Sequence, residues 1–85
     1  MKREGDHTYT LTLHVWNRPG VLVRCAQVFN RRSHNIESLH VTASGDEDIS
    51  IMTITAFGKP AKMHQIVMQL QKIIDVKSVA EHQEA

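Results

Sequence analysis

Asn17-Arg18-Pro19-Gly20-Val21-Leu22 is the stretch of this 85-residue sequence whose residue types and spacing best compose a binding device. Asn17 reads as a helix N-cap and Pro19 as a residue of the first turn. The amides of Gly20, Val21 and Leu22 then have no carbonyl one turn behind them. Free amides at the positive end of a helix dipole suit a carboxylate. Gly20, lacking a Cβ, lets a small ligand approach the backbone, and the Asn17 amide can accept from an ammonium group and donate to a carboxylate. A free amino acid presents both groups. The same spacing also suits a capped helix with nothing bound.

Other candidates for chemistry are weaker. His7, His14, His34, His40, His64 and His82 contain no pair at i, i+2 or i, i+4, and Cys25 has no second cysteine, so no metal site is expected. Cys25 falls on an apolar stripe, where a buried inert thiol is expected rather than a nucleophile. No G-x-S-x-G motif and no pair of carboxylates in a plausible cleft is present, so no catalytic residue is assigned. Asp46-Glu47-Asp48 lacks the spacing of a calcium loop and reads as a solvated hairpin tip.

The elements that must position the Asn17 junction follow from periodicity. From Thr8 to Trp16, Tyr9, Leu11, Leu13 and Val15 alternate with threonines and His14, the pattern of a half-buried strand. Val21, Leu22, Cys25, Ala26, Val28 and Phe29 then repeat at helical spacing through Arg32, and Ser33-His34-Asn35 ends that helix. Ile36–Thr42 and Ile49–Phe57 read as two strands of a hairpin. Pro60 suits the first position of a second helix, whose stripe is Met63, Ile66, Val67, Leu70, Ile73 and Ile74. A short strand near Val76–Ala80 closes the chain.

The order β-α-β-β-α-β with right-handed crossovers gives an α+β, ferredoxin-like fold. Its four-stranded antiparallel sheet runs 4-1-3-2, with both helices on one face. The Met52–Ile54 side of the third strand is assigned to the helices, and the threonine-rich side to the open face. There Trp16 should lie near Ile49 and Ile51, an apolar patch suited to an interface.

Composition narrows the function classes. One domain is the limit at 85 residues and 9.7 kDa. By surface scaling such a chain buries only about 64% of its surface, so a partner subunit would help the core. A net charge of +1 gives little attraction for nucleic acid or an anionic membrane. RNA readers of this topology stack bases on aromatic residues of the central strands, and the interior of those strands offers only Tyr9, on the core side. Apolar runs never exceed three residues, so no membrane span is expected, and no secretory signal is legible, which makes a reducing cytoplasm the expected location.

Asn17–Leu22, followed by Phe29-Asn30-Arg31-Arg32, Asn35-Ile36-Glu37-Ser38-Leu39, Met52-Thr53-Ile54 and Gln69-Leu70-Gln71-Lys72-Ile73-Ile74-Asp75-Val76, resembles the ACT domain of the small regulatory subunit of acetolactate synthase. The N-R-P-G-V-L run marks the broad ACT class, whereas N-I-E-S-L and the L-x-K-x-x-D-V ending are narrower. The resemblance covers residues 8–81, leaving 1–7 and 82–85 as polar ends. It implies a non-catalytic subunit that activates a large catalytic subunit and confers feedback inhibition, commonly by valine. It needs no cofactor of its own, since thiamine diphosphate, Mg²⁺ and FAD would belong to the catalytic partner.

The resemblance also implies a homodimer. A branched-chain amino acid would sit between Asn17, Gly20, Val21 and Leu22 of one copy and Asn35 and Ile36, at the start of strand two, of the other. Many members carry a second domain, so this chain resembles a short form. Ile51 and Trp16 depart from the family's usual Arg and small or polar residue. Two alternatives stand beside this: an amino-acid sensor for another enzyme, and an acyl-phosphate hydrolase, for which Arg18 is the sole anion-gripping candidate.

Overall fold

A computed structural model describes residues 7–83. Six elements follow in the expected order: β1 (His7–Trp16), α1 (Val21–Arg31), β2 (Ile36–Ala43), β3 (Ile49–Gly58), α2 (Pro60–Gln71) and β4 (Val76–Gln83). The sheet is antiparallel with order β2-β3-β1-β4, the predicted topology.

Alternation in β1 works as the pattern required. Tyr9, Leu11, Leu13 and Val15 are buried, and they face Ala56, Ile54, Met52 and Ser50 across the ladder. Onto this side α1 lays Val21, Cys25, Val28 and Phe29, and α2 lays Met63, Ile66, Val67 and Leu70, forming one core. The opposite side carries Thr10, Thr12, His14 and Trp16 opposite Thr55, Thr53, Ile51 and Ile49. Thr8, on the threonine-rich side expected to be the open face, is instead buried opposite Phe57.

The helix ends explain the remaining differences. α1 closes with Ser33 in the left-handed region (φ 55°). The Ser33 N–H donates to Asn30 O at 3.1 Å and the His34 N–H to Phe29 O at 2.9 Å, the paired bonds of a Schellman ending. α2 stops at Gln71, short of its predicted apolar stripe. The Ile73 N–H turns back to Leu70 O at 3.1 Å and the Val76 N–H to Ile73 O at 3.0 Å. That tight turn keeps Ile73 against the core and throws Ile74 outward, 85% exposed. β4 is longer than expected, because Glu81, His82 and Gln83 continue the ladder opposite Leu11, Thr10 and Tyr9. His82 and Gln83 are therefore strand residues, while 1–6 and 84–85 of the predicted polar ends lie outside the described residues.

Candidate functional site

The β1–α1 corner differs from its sequence reading in its cap. Helix α1 begins at Val21, and the cap position is Gly20 in the left-handed region (φ 85°), without a side-chain cap bond. Asn17 is therefore not the N-cap and Pro19 lies outside the helix. A chain that must leave β1 and reverse into α1 within four residues needs a positive φ, which only glycine adopts cheaply. The Val21 amide, expected free, donates to Arg18 O at 3.3 Å. The Gly20, Leu22 and Val23 amides have no backbone acceptor among the described residues and form the open end of the helix. Val21 is buried in the core, whereas Leu22 and Asn17 are exposed.

The corner is tied down on two sides. The Asn17 N–H donates to Asp48 O at 2.7 Å, at the tip of the β2–β3 hairpin. In that tip the Asp46 carboxylate accepts the Asp48 N–H at 2.9 Å, so the acidic run does turn-building. On the other side the Asp75 carbonyl accepts the Trp16 N–H at 2.7 Å. The Asp75 carboxylate, only 4% exposed, accepts from Arg18 Nη1 on one oxygen and from Arg24 Nη1 on the other, both at 3.0 Å. Arg24 Nη2 also reaches Pro19 O at 3.4 Å. Arg18 is therefore already held by a carboxylate, which counts against the anion-gripping role that a hydrolase would need.

Sequence reasoning missed Arg24 and left Asp75 without a role. Two signals pointed to them. Arg24 puts a positive charge in the first turn of a helix, where the dipole disfavours it unless an anion is near. Asp75 interrupts the apolar Ile73, Ile74 and Val76, where a carboxylate needs a partner. Trp16 is less bare than expected: Lys77 Nζ lies 4.7 Å and the Arg18 guanidinium 5.6 Å from its ring centre, a cation–π arrangement.

Asn35 and Ile36 lie elsewhere. Ile36 pairs with Ala56 and Trp16 with Ile49, so the two halves of the predicted site are seven residues apart along β3, about 24 Å. Within one chain they cannot meet. Val15, Ser50 and Ala43 form one cross-strand row, so the far end of β2 shares the corner's end of the sheet. Antiparallel pairing of β2 with a second copy, centred on Leu39 and His40, would set that copy's Ile36 beside this chain's Ala43. β2 has a free edge for this, and its helix-side residue Val41 is 48% exposed.

Cys25 is buried on α1, and its thiol is pushed up to about 11 by burial, with Arg24 opposing and Asp75 adding to the shift. It is inert at neutral pH. A groove of about 350 Å³ lined by Val28, Arg31, Arg32 and Gln69 opens at the other end of α1, remote from the corner. Among the described residues no cluster of three metal-ligating side chains occurs, and no helix is long and apolar enough to cross a membrane.

Residues 11–78 match the model of the AHAS small subunit-like ACT domain. The chain belongs to that family. It is 41% identical over 80 residues to the acetolactate synthase small subunit of Mycolicibacterium smegmatis, covering 94% of this chain and 47% of that one. The crystal structure of the acetolactate synthase small subunit from Thermotoga maritima superposes with a TM-score of 0.78 at 31% identity, over 87% of this chain and 46% of that one. The ACT domain from GTP pyrophosphokinase of Chlorobium tepidum shares the fold, with a TM-score of 0.75 at 15% identity over 95% of this chain and 91% of that one. The chain thus spans about half the length of the curated relatives it matches.

Proposed function

We propose that this ACT chain is the amino-acid-sensing part of a regulatory, non-catalytic subunit of acetolactate synthase, acting in the cytoplasm. Two copies pair through β2. A branched-chain amino acid, valine foremost, lies between Asn17, Gly20 and Leu22 of one copy and Asn35 and Ile36 of the other. Val21 contributes by anchoring the corner from below. The ligand favours one dimer arrangement, and the large catalytic subunit responds to that arrangement, being activated by the regulatory subunit and restrained by its effector. Thiamine diphosphate, Mg²⁺ and FAD belong to that large subunit in this reading.

The observation that carries the proposal is the β1–α1 corner. It offers the Gly20, Leu22 and Val23 amides at a helix start, beside a glycine that only a bare backbone suits. Such a corner fits the carboxylate of a zwitterion. Family membership supports the choice of partner. Titration with valine, leucine and isoleucine, followed by calorimetry and by Trp16 fluorescence, should give saturable binding of at least one of them. Silence in both readouts would overturn the effector site. Gly20→Asp places a carboxylate where the ligand's own should sit but also strains the positive φ, so Gly20→Asn is its control: the first should abolish binding and the second keep much of it, with native circular dichroism in both. A pull-down should recover a thiamine-dependent large subunit; recovery of an unrelated enzyme would favour a sensor of different allegiance.

A further inference from the structure

Arg18 and Arg24 stand on either side of the Pro19–Gly20 turn, yet both guanidinium groups end on one carboxylate more than fifty residues later in the chain. Each Asp75 oxygen takes one of them, at 3.0 Å. The Asp75 main chain adds a third tie, through the Trp16 N–H. The three ties thus reach the last residue of β1, the loop and the first turn of α1, and the open Gly20 and Leu22 amides lie between the points they hold. Arg24 also covers Gly20, its Nη2 standing 3.4 Å from where a Cβ would be.

Stability alone does not account for this arrangement. The Arg18 and Arg24 side chains are 60% and 46% exposed, so solvent screens much of the attraction, and a desolvated carboxylate is costly to place. What the arrangement supplies is geometry. The carboxylate sets the spacing between the two arms of the turn, and with it the direction of the amides on the turn.

We propose that Asp75 is a positioning residue for the β1–α1 corner: through Arg18 and Arg24 it holds the Gly20–Val23 backbone in the form that receives a carboxylate, without touching the ligand. Its functional half rests on the amino-acid site proposed above, and its structural half on this geometry alone. Because Asp75 immediately precedes β4, the corner is coupled to the strand on the side of the sheet away from β2. A shift of β4 should therefore reach the amino-acid site through Asp75.

The test uses the full chain and Asp75→Asn, which keeps the shape of the side chain and removes its charge. Amide hydrogen exchange without ligand should quicken about tenfold or more at the hydrogen-bonded corner amides of Trp16, Arg18, Val21 and Arg24, while core amides such as Leu11 and Ile54 change little. A merely structural role would speed the core amides in parallel, and that result, or an unchanged corner, would overturn the proposal. Valine affinity should fall at least about tenfold in Asp75→Asn. Wild-type affinity in that variant would overturn the functional half. If the wild-type chain binds no branched-chain amino acid, the effector reading fails instead, and hydrogen exchange alone decides Asp75. Should Asp75→Asn not fold, Arg18→Gln and Arg24→Gln take its place. Each should loosen its own arm of the turn, and unchanged exchange in both would overturn the proposal.

Discussion

The corner between β1 and α1 and the start of β2 are the two halves of one candidate site, and they are built in opposite ways. The corner is fixed from inside the chain: Asp48 holds Asn17, Asp75 holds Trp16, Arg18 and Arg24, and Gly20 supplies the one positive φ the turn needs. The β2 half has little of this. Neither helix covers β2 as α2 covers β4, Ile36 and Leu39 are only partly buried, and a register shift breaks the ladder between Ile36 and Ser38. One half is therefore preorganised, and the other is shaped by what pairs with it. That division would suit the sensor proposed above, whose site would be completed only in the assembly, so that ligand binding would bias the assembly.

Each half can be perturbed by itself, and the largest effect is expected at Gly58. A Cβ there would run into the His34 ring, which lies just before Asn35. Gly58→Ala should cost about 1–3 kcal/mol as overpacking and lower Tm accordingly, by about 4–8 °C per kcal/mol. Its chemical-shift changes should centre on His34–Ile36 and spare the corner.

Next in size is the free edge. Val41→Lys puts a charge where β2 would meet its copy, and edge lysines oppose strand pairing. Sedimentation equilibrium should show a dimer weakened about tenfold or more, with unchanged circular dichroism.

On the corner's side, Cys25 gives a pH handle. Its thiol is raised from 9.0 to about 11 by burial, so the folded state disfavours the thiolate. The stability this confers is present below pH 9 and lost as pH rises toward about 11. Cys25→Ala should flatten that alkaline loss of Tm. The smallest effect is expected at Ser33, whose φ of 55° favours glycine. Ser33→Gly should stabilise by up to about 1 kcal/mol, relieving the α1 ending that leads into β2.

Much of the fold was legible because its signals are local. The alternation in Tyr9–Val15, the change of period at Val21 and Pro60 at a helix start together give the element order, and crossover handedness then gives the strand order. What was not legible depends on distant partners. Asn17 looked like a cap, but its amide is drawn to Asp48, and the cap position passes to Gly20. The stripe through Ile73 and Ile74 looked helical, but the chain must turn after Gln71 so that Asp75 can meet Trp16, Arg18 and Arg24. Neither Asp75 pairing leaves a periodic trace in the sequence.

In the proposed function the site is shared between two copies, and complementation of damaged halves tests that sharing. Gly20→Asp damages the corner half and Asn35→Glu the β2 half, so neither variant alone should bind valine. Mixed, unfolded and refolded together, they should regain binding at about one quarter of the wild-type sites, because half of the dimers are mixed and each then holds one intact site. No recovery on mixing, with mixed dimers present, would contradict the shared site.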